Sequence, residues 1–472
     1  METQIEPSSH SLNRLGFMAT LLVGTFTMSI SQSSLSTAYP TLMADFGISA
    51  STVQWLTTGF MLVMCVAMPI SPWMLNNLSF KKMFMGALAL FDLGSLVIVL
   101  TPVSWGAAGF WFMMVGRVLE AFAVGVLFPS YQTVLLEITP EKERGTTMGI
   151  AGLVMGSALA VGPIVSGVVL KYFSWRSLFI FFMIVITVIF ALAGAGLIQD
   201  IMERHQSKLD WLSVFLLLGL IGLMWGINHV GKAGVNWDLA VSLLALAWFV
   251  VRQLKLATPL LELRVLKTFN YDLAVLLTSI SYIALIVTTI IFPLYYQGVL
   301  GVSPFVSGMS LVPGAVFLSL LNPLSGKLAD RIGFKPTMLV GMAMIIIGWG
   351  AGILVVSQHS LMGMLLCAMV IEGGNAFVMM PAVTLGANAL PDRLVAHGTA
   401  VITTVRQVLG SAGVVVATRV LTNVTTRVGQ SGVSHSAASL TGFRAAFSLM
   451  VLVELVGLFL ALLLKDTKKK PN

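Results

Sequence analysis

Two glutamates sit in stretches that are otherwise apolar or small: Glu120 in GRVLEAFAVGVLFPS (Gly116–Ser130) and Glu372 in IEGGNAFVMMP. Asp92, in LALFDLGSL, is a third acid in such company, and Arg117 and Arg406 are cations in the same kind of surroundings. Burial disfavours an ionised carboxyl, so an acid in an apolar run can carry a proton near neutral pH and lose it when water or a cation arrives. A carboxylate shared between a proton and a cationic ligand couples the movement of the two without any covalent step, because each displaces the other. Arg117 lies three residues before Glu120, on nearly the same helical face. This acid therefore has two open readings: proton handling, or a static ion pair that locks its helix. Glu372 has no basic neighbour within a turn, and Gly373 and Gly374 leave space beside it for a ligand or a facing helix, which favours a functional acid. Asp92 can instead be satisfied by the backbone or hydroxyls of adjacent helices. Arg406 is either a switchable partner for Glu372 or a member of a fixed pair. Phe128, Tyr131, Phe377, Met379 and Met380 lie near the two glutamates in sequence. Soft Met and aromatic walls suit flat lipophilic cations, although Met and Phe also serve as ordinary core and lipid-facing residues.

The elements that must hold these groups are membrane helices. Hydrophobic residues make up 57% of the 472-residue chain and charged residues 10%, where a soluble domain has about 25% charged; mean hydropathy is +0.94. A helix crossing a core of ~30 Å needs about 20 apolar residues. Fourteen such spans are expected, at 15–37, 53–73, 82–101, 108–135, 146–170, 176–198, 209–229, 237–253, 272–296, 304–325, 336–357, 361–385, 396–419 and 442–464. Arg406 then lies about ten residues into the thirteenth, near the membrane midplane at a rise of ~1.5 Å per residue.

The excess of Lys and Arg in short cytoplasmic loops orients such a bundle. With both termini inside, the inner loops receive Arg14, Lys81, Lys82, Lys142, Arg144, Arg204, Lys208, Arg252 to Lys267, Lys327 to Lys335, Arg393 and Lys468 to Lys470. Lys171, Arg176, Lys232, Arg427 and Arg444 are the exceptions. The net charge of +8 therefore reads as inner-loop charge facing anionic lipid, not as a nucleic-acid footprint. The polar start METQIEPSSHSLNR and the long first span argue against a removable signal peptide. Cys65 and Cys367 both fall in spans, far apart in sequence, which makes a disulfide or a cysteine metal site unexpected.

The chain also repeats itself. Pro129 follows Glu120, and Pro381 follows Glu372, at the same nine-residue interval. Pro140, Gly145 and GLVMGSALAVG continue the first copy; Pro391, Gly398 and TTVRQVLGSAG continue the second. Upstream, SPWMLNNLSFKK matches SGKLADRIGFKP. The expected fold is all-α integral membrane: two pseudo-symmetric six-helix bundles, in 1–200 and 269–472, with two linking helices in 201–268. Two halves with the same topology, related by an axis along the membrane normal, form a common transporter architecture with the substrate near the midplane between them.

These motifs carry a resemblance that covers nearly the whole chain. GKLADRIGFK (Gly326–Lys335), WLTTGFMLV, GRVLEAFAVG, GPIVSG and FPLYYQGVLGVSPFVSGMSLVPGA resemble the major facilitator superfamily, in its fourteen-helix drug:proton antiporter branch. MMPAVTLGANALP and HGTAVITTVRQVLGSAG are similar to the multidrug and lincomycin-type exporters of Gram-positive bacteria. The resemblance implies a mechanical role for the inner-loop motif. Asp330 would accept from helix N-termini or an arginine and latch one side, Gly326 and Gly333 would permit the tight turn, and Arg331 and Lys335 would stay at the headgroups. Gly152, Gly156, Gly162, Pro163 and Gly167 of the fifth span are read as packing and gating residues. Four positions depart from the pattern: Ser31 stands where the branch carries an aspartate, Asn76 and Asn77 replace Asp and Arg in the first motif copy, and Glu120 stands where relatives usually have glutamine.

The resulting expectation is a proton-coupled exporter of lipophilic, often cationic drugs or dyes that works by alternating access as a functional monomer in the cell membrane. Its partners would be small-molecule substrates, protons and the lipid bilayer. Export of an endogenous solute or lipid-like molecule, and a transport-dead membrane sensor, are the alternatives, and Na⁺ in place of H⁺ stays open. No P-loop, HExxH or nucleophile motif is present, so neither an enzyme nor a cofactor or metal is expected.

Overall fold

The computed structural model describes residues 14–201, 208–229 and 237–465. Arg204, Lys232, Lys468 to Lys470 and nearly all of the polar N-terminal stretch lie outside the described residues. Every regular element among the described residues is helical. Thirteen helices there are long and apolar enough to cross a bilayer, and a fourteenth apolar helix is shorter. In chain order they are α1 (Arg14–Ser34), α2 (Trp55–Asn77), α3 (Phe80–Leu100), α4 (Ala107–Glu137), α5 (Arg144–Tyr172), α6 (Arg176–Leu192) and α7 (Trp211–Gly226). They continue as α8 (Trp237–Lys255), α9 (Phe269–Gly298), α10 (Val312–Ile332), α11 (Phe334–Val355), α12 (Leu361–Asn388), α13 (Asp392–Gln430) and α14 (His435–Leu463).

The short helix is α7, expected over 209–229; a turn at Leu217 and Leu218 interrupts it. α2 is also broken, tightening to a 3₁₀ turn at Met68–Ile70 where Pro69 and Pro72 withhold backbone donors.

Packing repeats with an offset of eight helices, which is the repeat in three dimensions. α1 packs on α5, α2 on α4, α3 on α4 and α3 on α6; α9 packs on α13, α10 on α12, α11 on α12 and α11 on α14. One buried core, including Phe17, Phe60, Phe84 and Phe91, fills the first six-helix set and continues into the linking pair and the facing ends of α9, α12 and α13, while a second, including Phe292, Trp349 and Phe447, lies within the last six helices.

The linking pair is held together at one end by Arg252, whose Nε and Nη2 donate to the Asp210 carboxylate at 2.7 and 2.9 Å. These hydrogen bonds hold the Asp210 carboxyl at about 2, below its ordinary 3.8. α7 leans on α2 through the stacked rings of Trp225 and Trp55, 5.2 Å apart.

The two sets meet mainly along α5 and α10. Glycines make this approach possible, because any Cβ would strike the opposite backbone or side chain. Gly145 and Gly326 face each other, Gly149 lies on the Asn322 carbonyl, Gly152 on the Asn322 side chain and Gly156 on Ser319. Farther along α5 the contact is lost: Gly162 meets Ser33 of α1, and nothing lies within 4 Å of a Cβ at Gly167. α13 behaves alike: its buried residues fall between Val395 and Gly410, with only Ala417 beyond them. The halves are thus joined at one end of the bundle and looser at the other.

Candidate functional site

The joined end is built from the residues of the inner-loop motif. Asp330, in the last turn of α10, accepts from the Gly145 N–H at 3.0 Å, the Thr146 N–H at 2.7 Å and the Thr146 hydroxyl at 2.6 Å. These are free N–H groups of the first turn of α5, where the helix dipole favours an anion. Beside them Arg144 donates to the Asn388 side-chain oxygen at 2.9 Å, and the hydroxyls of Thr133 and Thr399 meet at 2.5 Å. All of these bonds run between the first six helices and the last six.

The two motif glycines have different jobs. Only Gly333, with φ of 100°, makes the turn. Gly326, expected to share that turn, lies inside α10, where its missing side chain admits Gly145. Arg331 is exposed, and Lys335 donates to the Leu464 carbonyl at 3.0 Å, tying α11 to the end of α14.

Arg117 and Glu120 form a closed pair on α4. Both are fully buried, and Arg117 Nη1 donates to Glu120 Oε2 at 2.5 Å. Ser95 of α3 donates to the other carboxylate oxygen at 2.6 Å. The guanidinium also reaches Ser31 of α1 at 3.3 Å and the Leu56 carbonyl of α2 at 3.4 Å, and lies 4.3 Å from the Phe60 ring centroid. Ser31 and Glu120, two departures from the branch pattern, therefore touch the same arginine. The carboxylate facing Arg117 comes from α4, where the branch pattern would place an acid on α1. Asp92 accepts from Thr187 of α6 at 3.0 Å, the hydroxyl satisfaction considered for it.

Glu372, on α12, is different. It is 2% exposed, and its Oε2 has no hydrogen-bond partner among the described residues. Its carboxyl lies against Gly314 of α10, with Gly373 against Phe317 of the same helix. One turn on, Asn375 accepts a short hydrogen bond from Ser281 of α9. No ion pair joins Glu372 to Arg406 in this conformation. Arg406 is 2% exposed on α13, with its Cζ 5.2 Å from the Phe128 ring centroid and 5.3 Å from that of Tyr282.

The five expected lining residues fall in related places. Phe128 packs edge-on to Tyr131 at 5.5 Å. Phe377 and Met379 belong with Tyr282 and Leu318 in one apolar cluster, and Met380 reaches across the halves to Gly152. Pro163 lies within α5.

One acid was overlooked in the sequence. Glu454 on α14 is fully buried, and neither carboxyl oxygen has a partner among the described residues. Its signal was present, since VLVELVGLFL is an apolar run with a single acid. The buried amides Gln132, Asn322 and Asn375 had no such signal, because amides carry no charge to stand out.

Comparison with known proteins supports this architecture. The family model for the Major Facilitator Superfamily matches residues 21–414. An uncharacterised MFS-type transporter of Bacillus subtilis, YcnB, is 35% identical over 99% of this chain and 98% of its own. The lincomycin resistance protein LmrB of Listeria monocytogenes is 32% identical over 96% and 97%. Among solved structures, the human organic anion transporter MFSD10 superposes with a TM-score of 0.65 at 12% identity, covering 95% of this chain and 99% of that one. The helices, their repeat and these matches together place the chain in the major facilitator superfamily, as a multi-pass membrane transporter and not an enzyme.

Proposed function

We propose that this chain is a secondary active exporter, coupled to protons, that expels lipophilic small molecules from the cell by alternating access between its two six-helix sets. The observation that carries the reading is Glu372: a carboxyl in the protein interior with no cation beside it and an unpartnered oxygen. An unpaired buried carboxyl is tolerated neutral and ionises when water, a cation or a rearranged neighbour reaches it, which is the property a proton carrier needs. Glu120 is held by Arg117 and Ser95, so the static-pair reading suits it in this conformation, and the carrier role passes to Glu372. With no nucleotide-binding motif in the sequence, an ion gradient drives the cycle.

The basic loops put both termini in the cytoplasm. The Asp330 latch then closes the cytoplasmic side, and the looser end faces outward. Lincomycin, named for the LmrB relative, and dyes such as ethidium are the first cargoes to test. Export of an endogenous solute is the second reading, favoured by the buried amide Gln132, whose Oε1 has no partner among the described residues and which drug binding by area alone does not require.

The test is extrusion of ethidium, and of lincomycin, from preloaded cells expressing wild type or Glu372→Gln at matched abundance, with and without a proton ionophore. Extrusion that the ionophore abolishes and Glu372→Gln loses is the expected result. Full activity of the variant removes Glu372 from coupling. Extrusion that survives the ionophore but follows an imposed Na⁺ gradient replaces the proton.

A further inference from the structure

Arg406 is a charged group near the meeting of the two halves that no described residue partners. It projects from α13 toward α4 and α9, with its Cζ 5.2 Å from the Phe128 ring centroid and 5.3 Å from that of Tyr282, and it is 2% exposed. No nitrogen of its guanidinium makes a hydrogen bond or ion pair with a described residue, and Nε and Nη1 are buried without a partner. Arg117 of the same protein also has a buried Nε without a partner among the described residues, but its terminal nitrogens have a carboxylate, a hydroxyl and a carbonyl in reach.

The chemistry of the group narrows what completes it. A guanidinium stays charged in proteins and carries five N–H donors in its plane. Aromatic rings attract it through their faces and accept none of the strong in-plane hydrogen bonds. What is missing is therefore an acceptor in the plane, and a planar oxyanion matches it best. Glu372 does not supply it, since that carboxyl lies against Gly314 of α10. One turn along α4 from Phe128, Gln132 Oε1 is also buried without a partner, a second polar atom left open on the facing helix.

We propose that Arg406 is the anion-recognition point of the cargo site, which takes lipophilic molecules bearing a carboxylate or a similar planar oxyanion on an aromatic or aliphatic body. The acceptor meets the guanidinium edge, while Phe128 and Tyr282 fix the plane of that edge. The proposal rests on the exporter reading for the word cargo. It departs from the expectation of cationic substrates, because a buried, uncompensated arginine repels a cation at this point.

Three probes of one shape and different charge test it: pyrenebutyrate, pyrenebutanol and a pyrenebutyl trimethylammonium salt, titrated by fluorescence onto full-length protein in detergent. Wild type should bind the carboxylate at least about tenfold tighter than the ammonium, and Arg406→Gln should lose about tenfold for the carboxylate while its affinity for the alcohol stays constant. Arg406→Lys keeps the charge without the planar fork and should fall between the two. Phe128→Leu, which leaves the arginine in place, gives a second reading should Arg406→Gln fail to fold, and should weaken carboxylate binding more than alcohol binding. Wild type that prefers the ammonium, wild type that binds none of the probes, or folded Arg406→Gln with undiminished carboxylate affinity overturns the proposal. Pyrenebutyrate that binds through Arg406 while neither it nor ethidium nor lincomycin is extruded sinks the exporter reading and leaves the site. Ethidium extrusion with no preference for the anionic probe sinks the site and leaves the exporter.

Discussion

Replacing Asp330 by Asn tests the latch with almost no change of shape. The carboxylate accepts three hydrogen bonds, at 3.0, 2.7 and 2.6 Å, from Gly145 and Thr146 at the start of α5. Asparagine keeps one acceptor oxygen, loses the charge that complements the helix N-terminus, and turns an NH₂ group toward N–H donors. A hydrogen bond to a charged group contributes about 1.5–3 kcal/mol and the helix-end interaction about 0.3–1 kcal/mol. The site is only partly buried, so we take a loss near the lower end, about 2 kcal/mol, which at ~1.4 kcal/mol per decade is about thirtyfold in the joined-to-separated ratio. Spin labels at Lys142→Cys and Arg393→Cys, both exposed positions at the joined end, would read this ratio as a distance distribution, with Cys65 and Cys367 changed to Ser. Asp330→Asn should transfer population to the longer distance on that scale, and Thr146→Ala, which removes one bond, should move it less. A distribution unchanged by Asp330→Asn would refute the reasoning and assign the closure to packing along α5 and α10.

Other perturbations separate packing from charge. Glu454→Leu removes a fully buried carboxyl whose two oxygens are unpartnered, and should raise stability by about 1–3 kcal/mol, read as a higher melting temperature in detergent. Gly326→Ala should abolish extrusion at normal abundance, since a Cβ there collides with the Gly145 backbone, whereas Gly167→Ala, with nothing within 4 Å, should leave transport intact. The Asp210–Arg252 contact gives a pH dependence. Because the Asp210 carboxyl is held at about 2 against 3.8, its stabilising contribution is complete above pH 3.8 and is lost as pH falls toward 2. The melting-temperature difference between wild type and Asp210→Asn should therefore shrink across that window.

Part of the site was legible from single residues. A charge in an apolar span is visible because burial makes it costly, so Glu120, Glu372, Asp92, Arg117 and Arg406 could be named before any helix was placed. Partnership was legible only where it is local: Arg117 and Glu120 are three residues apart on one helix, and their pair formed. Ser31 joining Arg117, and Asp330 capping α5, were not written in any local spacing, because those contacts depend on how separate helices are brought together. Gly326 shows the same limit. Its place in the motif suggested the turn, while the close approach of α5 gave it a different task.

Composition and apolar runs by themselves determined a bundle of membrane helices and a small set of costly interior charges, because both follow from what a bilayer demands of successive residues, and matched motif spacing pointed to a six-helix unit used twice. Beyond the local Arg117–Glu120 pair, tertiary structure decided how each charge is answered. Glu120 gained a hydroxyl beside its cation, Asp330 a helix end, and Asp92 a hydroxyl on one oxygen only, while Glu372, Glu454 and Arg406 found no ion-pair partner among the described residues. Hydrogen bonds act over about 3 Å, a distance set by helix packing that residues far apart in the chain cannot specify one at a time.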